Sequence, residues 1–210
     1  MKGLLLKDWY VIFKQGKVMF LFVLLYLILG ALGENTFFGA FAVLFLSLLP
    51  ITVMGFDERS KWDRFAVTLP VTRKQLVLEK YLFSLIALGA GAALYLVFTI
   101  AGSAFVHRST DLAELLGVLA PMLSVSLIFS AVNFPMMFKL GVEKGRLWFI
   151  LIIALLGAIL GGLLAMRSNE GGSLPPWLNG QLLWLLLPVS LLLFAISYPL
   201  SVRIYEKREL

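Results

Sequence analysis

YLFSLIALGAGAALYLVFTIAGSAFV, residues 81–106, contains no Asp, Glu, Lys or Arg. An α-helix rises about 1.5 Å per residue and the hydrocarbon core of a bilayer is about 30 Å thick, so roughly 20 such residues cross it. Tyr81 to Val106 therefore reads as a membrane span. Working outward, five further runs free of Asp, Glu, Lys and Arg extend approximately from Val18 to Gly33, Phe37 to Phe56, Leu115 to Phe138, Leu147 to Met166 and Gln181 to Val202. The run from Val18 is the shortest, and Lys17 can snorkel from its end to lengthen it. A cleaved signal peptide is disfavoured there, because a segment patterned like a helix precedes the run. Composition agrees: 60% of the 210 residues are hydrophobic and 14% charged, against about 45–50% and about 25% in a soluble domain. The expected fold is all-α and integral to the membrane, with six transmembrane helices, an interfacial helix over residues 1–16 and a short cytoplasmic helix between the second and third spans. No internal repeat is visible, so residues 1–210 read as one membrane domain.

Short loops rich in Lys and Arg stay in the cytoplasm. Of the 18 Lys and Arg, sixteen fall before residue 18, between residues 57 and 80, between residues 139 and 146, and after residue 202, while the alternate loops hold Arg108 and Arg167. Both termini and the second and fourth loops are expected inside. The net charge of +6 does not point to nucleic acid, because the basic residues sit in short clusters between apolar runs and not along one face.

Two segments are set apart from the spans. From Gly3 to Gln15, Leu5, Leu6, Trp9, Ile12 and Phe13 recur at helical spacing, with Lys7, Asp8 and Lys14 off that stripe, the pattern of an amphipathic anchor in the inner interface; docking of a partner is the alternative. Residues 57–80, DERSKWDRFAVTLPVTRKQLVLEK, carry ten of the thirty formal charges. Ser60 with Asp63 can cap a short helix bearing Trp62, Phe65 and Ala66, which ends before Leu69-Pro70 because a residue preceding proline avoids helical torsions. Thr72 and Gln75 form a T-x-x-Q capping box that restarts a helix running into the third span. A purely solvated loop has no reason to carry Trp62 and Phe65, so a partner contact competes with a merely topological role.

Several chemistries are excluded. Without cysteine there is no disulfide, thiol nucleophile or thiolate metal site, and the lone His107 excludes a His-rich metal site, so no metal is expected. No carboxylate lies inside a span, since Glu34, Asp111, Glu114 and Glu170 belong to outer loops or outer helix ends and the other acids are cytoplasmic. Ion-coupled transport ordinarily needs such groups at the midplane. The chain has no G-x-x-x-x-G-K-[ST] phosphate loop, so it is not a P-loop ATPase, and no catalytic residue is assigned. Ser103 and His107, four apart, lack a further orienting group and read as a capping coincidence. Ser126, Ser130 and Asn133 share one helical face, as helix-bridging groups or as the lining of a pathway. Gly157 and Gly161, within GAILG, permit close helix approach inside one bundle or between two copies. Residues 168–180, SNEGGSLPPWLNG, suit an outer turn or a re-entrant segment.

The run Asp57-Glu58-Arg59-Ser60-Lys61-Trp62-Asp63-Arg64, followed by Leu69-Pro70-Val71-Thr72-Arg73-Lys74-Gln75-Leu76-Val77 and Lys80-Tyr81, resembles the hallmark of small type-2 ATP-binding-cassette exporter permeases of Firmicutes-like bacteria. Met1-Lys2-Gly3-Leu4-Leu5-Leu6-Lys7-Asp8 matches the usual start of that group. The resemblance implies that Asp57, Glu58, Ser60, Lys61, Trp62, Asp63, Arg64 and Phe65 form a coupling helix docking into a separate ATPase subunit, present in two copies. It also implies that ATP and Mg are bound by that partner, that two permeases pair, as a homodimer or with a paralogue, and that the chain resides in a bacterial plasma membrane. Within the group the likeness is to permeases that export amphipathic, phenol-soluble-modulin-like peptides and protect against antimicrobial peptides. A non-transporting membrane scaffold or sensor is the alternative function.

Overall fold

The computed structural model describes residues 2–33, 37–66, 68–107, 111–145 and 180–208, together with positions 148, 150–152, 154, 155 and 158. Every described element is helical: α1 (Lys2–Gln15), α2 (Lys17–Leu32), α3 (Phe37–Ser47), α4 (Leu49–Arg59), α5 (Trp62–Ala66), α6 (Arg73–Val106), α7 (Leu112–Leu140) and α8 (Gly180–Glu206). Gly157, Gly161, residues 168–179 of the outer segment, most of the run from Leu147 to Met166, and Glu34, Arg108 and Arg167 lie outside the described residues.

Among the described residues four helical stretches are long and apolar enough to cross a membrane: Phe38–Arg59, Arg73–Val106, Leu115–Leu140 and Leu185–Glu206. The first joins α3 and α4 across a local break at Leu48; Pro50, with no N–H to donate, stands in the first turn of α4, where a helix tolerates it. The run expected as the first span forms α2, 16 residues long, below the roughly 20 needed to cross unaided. It follows α1 at a bend of 79°. The bend falls at Gly16, whose Cβ, were there one, would stand 2.8 Å from the Ile12 carbonyl oxygen.

The bundle has two groups, α2 with α3 and α6, and α7 with α8, joined where α3 meets α7 and α6 meets α8. Small residues set the first group's spacing. Gly30 of α2 lies directly on Gly39 of α3, and Gly102 of α6 on the backbone of Ala31, with no room for a Cβ at Gly30 or Gly102. The second group closes around Tyr81. Its ring packs against Phe134, Phe194 and Tyr198. Its hydroxyl lies 2.7 Å from Ser197 Oγ and 2.8 Å from Ser201 Oγ, and Ser197 Oγ donates to the Ala131 carbonyl at 2.6 Å.

Two local expectations are corrected. Asp8 was read as lying off the apolar stripe of α1, yet it is fully buried, in line with Leu4 and Ile12, while Leu6, Trp9 and Phe13 face outward. Ionic partners on α4 and α6 make the buried side of α1 amphipathic in its own right. Ser60 does not cap α5. Its hydroxyl donates to the Asp57 carbonyl at 3.1 Å and its N–H to Phe56, so it ends α4, and Lys61 in the left-handed region (φ 53°) turns the chain into α5. The Thr72–Gln75 box is present in both directions, at 3.3 and 3.0 Å.

Candidate functional site

The four segments expected on one side converge at one end of the bundle. At its centre is a buried charge cluster. Lys80, at the base of α6, donates to Asp8 Oδ2 at 2.6 Å and Asp57 Oδ2 at 2.8 Å, and lies 3.4 Å from Glu79 Oε2. Lys7 donates to Asp57 Oδ1 at 2.6 Å, pairs with Asp8 Oδ1 at 2.8 Å, and stands 4.5 Å over the ring of Trp62. Unpaired, such charges would be expensive to bury; two ammonium groups shared among three carboxylates offset that cost. Burial alone pushes the Asp8 carboxyl upward, but its interactions with Glu79, Lys80 and Lys7 outweigh it and hold Asp8 below its ordinary value.

Two further ties complete this end. Glu58 accepts from the N–H groups of Val142 and Glu143, the start of a helical turn at 142–145. Gly141 beside it has φ 78°, and the Glu58 carboxylate occupies the place a Cβ would take, so only glycine fits. Arg73 donates to the carbonyls of Tyr205, Glu206 and Arg208 at 3.2, 2.7 and 3.0 Å, satisfying the C-terminus of α8. Asp63 accepts from the Tyr205 hydroxyl at 3.0 Å, with Arg208 at 3.9 Å.

The residues singled out between 57 and 65 thus divide into two sets. Asp57, Glu58, Trp62 and Asp63 are bound to α1, α6, the 142–145 turn and α8. Arg59, Ser60, Lys61, Arg64 and Phe65 are exposed, Phe65 to 56%. On α1, Leu6, Trp9 and Phe13 face outward, Leu5 is half-buried and Ile12 is packed inside. Sequence reasoning did not assign Lys7, Asp8, Glu79, Lys80 or Tyr205 to a site; a charge beside an apolar run reads first as a topology signal. Ser126, Ser130 and Asn133 are fully buried, and each donates to a carbonyl four residues earlier on its own helix, at 2.8, 2.9 and 2.8 Å. Ser103 Oγ donates to Ile100, while the His107 N–H caps α6 on the Ser103 carbonyl. An open cleft of about 900 Å³ is walled by Met19, Phe22, Phe45, Ile51, Met137 and Ile150, with Arg59 and Glu143 from the polar end also lining it.

A helical bundle with stretches long and apolar enough to cross a membrane thus carries, at its polar end, a short helix with Arg64 and Phe65 exposed. The model of the ABC-2 family transporter proteins matches residues 3–206, and the chain belongs to that family. It is an integral membrane component of an ABC transporter, and membership implies an ABC ATPase as partner. No curated protein and no solved structure matches the chain.

Proposed function

We propose that this permease is driven by its ATPase through α5 and exports an amphipathic substrate, such as a toxin or antimicrobial peptide. The observation that carries the reading is the exposure of Phe65, with exposed Arg59, Lys61 and Arg64 close to it in sequence, on a helix whose Trp62 and Asp63 are bonded to α1 and α8. An exposed aromatic among basic residues is the composition of a docking anchor. The positive-inside asymmetry supports a cytoplasmic location for this end, where the partner holds ATP and Mg. The apolar cleft with Arg59 and Glu143 in its lining supports a substrate with one apolar and one charged face. In this reading α1 lies in the inner interface of a bacterial plasma membrane, with Leu6, Trp9 and Phe13 toward lipid. The chain makes six spans and pairs with a second permease, each pair carrying two ATPases.

The test is co-purification with an ABC ATPase partner. Phe65→Asp with Arg64→Glu should reduce recovery of the ATPase at least tenfold while permease abundance in the membrane stays unchanged. Unaltered recovery would overturn the docking assignment. A permease that purifies without any ATPase would favour a non-transporting scaffold or sensor.

A further inference from the structure

We infer that α1 is a positioning element for α5, with Lys7 and Asp8 clamping the loop to the base of α6 so that α1, the end of α4, α5 and the start of α6 form one rigid body. The inference rests on the proposed coupling role of α5 and extends it from the surface that would be gripped to the parts that hold that surface.

An anchor needs only an apolar face toward lipid, and α1 has one in Leu6, Trp9 and Phe13. Its opposite face does something an anchor does not require, for it buries a carboxylate completely. Asp8 bonds Lys80 at 2.6 Å, at the root of α6, and the adjacent Lys7 bonds Asp57 at 2.6 Å, near the end of α4. Asp57 in turn bonds Lys80 at 2.8 Å, closing a circuit through three helices. Lys7 also lies over the Trp62 ring at 4.5 Å, so the circuit reaches α5 through a cation–π contact. From the other side Asp63 holds α5 to Tyr205 of α8. Two neighbouring residues of α5 are therefore held by different helices, α1 and α8, and the exposed Arg64 and Phe65 follow them. Away from the cluster, α1 is seated by the buried Leu4 and Ile12. Without Lys7 and Asp8 it would keep that apolar seat but lose its tie to α5. With them, a push on α5 must move α1 and α6 together, and α6 runs without interruption from Arg73 to Val106.

The chain has no cysteine, so spin labels can be placed without removing native thiols. Labels at Tyr10→Cys on α1 and Thr68→Cys beyond α5, both exposed positions, report the separation of the two elements by double electron–electron resonance in the full chain in lipid nanodiscs. The native background should give one narrow distance distribution. Lys7→Met should at least double its width, Asp8→Asn with Lys7→Met should widen it further, and Lys7→Arg should keep it narrow. An unchanged width in Lys7→Met overturns the clamp. That substitution leaves the Asp8–Lys80 pair in place, so the permease stays folded even where the double variant does not. The measurement needs no ATPase. Widening alongside normal ATPase recovery by the Phe65 variant would keep the clamp and discard the docking role, and the converse pair of results would do the reverse.

Discussion

The polar end of the bundle and its middle are fastened by opposite means, and α6 passes through both. At Glu79 and Lys80 the helix joins its neighbours by ion pairs among five buried or half-buried charges. One residue later, at Tyr81, the fastening changes to hydroxyls, and by Gly102 it is bare backbone contact. Charges are affordable only where headgroups and water are near, and in return they fix α1, α4 and α6 in one arrangement. The apolar interior offers no such gain, since lipid is as apolar as the side chains it would replace; there, fit and small residues hold helices together.

The ionic end should break most sharply. Lys80→Met leaves Asp8, Asp57 and Glu79 with Lys7 as their one remaining cation in the cluster. Removing one member of a buried ionic group costs about 3–5 kcal/mol, and the midpoint of unfolding in detergent should fall accordingly. Glu79→Gln is the sharpening control. Glu79 Oε1 is buried without a hydrogen-bond partner and its other oxygen stands 3.4 Å from Lys80. A neutral amide in its place leaves two carboxylates facing two ammonium groups, so the midpoint should equal or exceed the native value. A large loss in Glu79→Gln would show that all three carboxylates are needed.

In the first helix group the expected effect is smaller. Gly30→Ala drives a methyl into the backbone of Gly39, and overpacking of this kind costs about 1–3 kcal/mol. Gly89, on the same α6 as Gly102, has nothing within 4 Å of its would-be Cβ; Gly89→Ala should be neutral or slightly stabilising, through helix propensity of up to about 1 kcal/mol. Equal losses in the two variants would mean that the close approach is not what holds α2 to α3.

The same contrast explains what could be read without coordinates. Uncharged runs long enough to cross a bilayer are legible because hydropathy acts residue by residue, and the start of α6 is legible because cap chemistry is local. The membrane class and the restart at Thr72 follow from those. The charge cluster is not local: Lys7, Asp57 and Lys80 are brought together from three segments, and each taken alone is a basic or acidic residue beside an apolar run. Asp8 carried a faint signal, standing four residues from both Leu4 and Ile12, but a lone acid on an apolar stripe gains meaning only once its cations are placed. Trp62 and Phe65 looked alike in sequence, and their rings do lie 5.4 Å apart on α5; what separates them is that Lys7 covers Trp62 while Phe65 is left exposed.

The smallest expected effect tests the middle of the bundle. Tyr81→Phe removes a hydroxyl that bridges Ser197 and Ser201 across two helices. Interhelical hydrogen bonds in membranes are worth about 0.6 kcal/mol and rarely reach 2, so the unfolding midpoint should shift by a fraction of that seen in Lys80→Met. Ser130→Ala should shift it less still, because Ser130 Oγ is spent on the Ser126 carbonyl of its own helix and spans no gap. Ser130 matters to the pathway question for the same reason. A residue that neither bridges helices nor reaches a cavity should leave export untouched, whereas loss of export at normal stability would return the Ser126, Ser130 and Asn133 face to the translocation route.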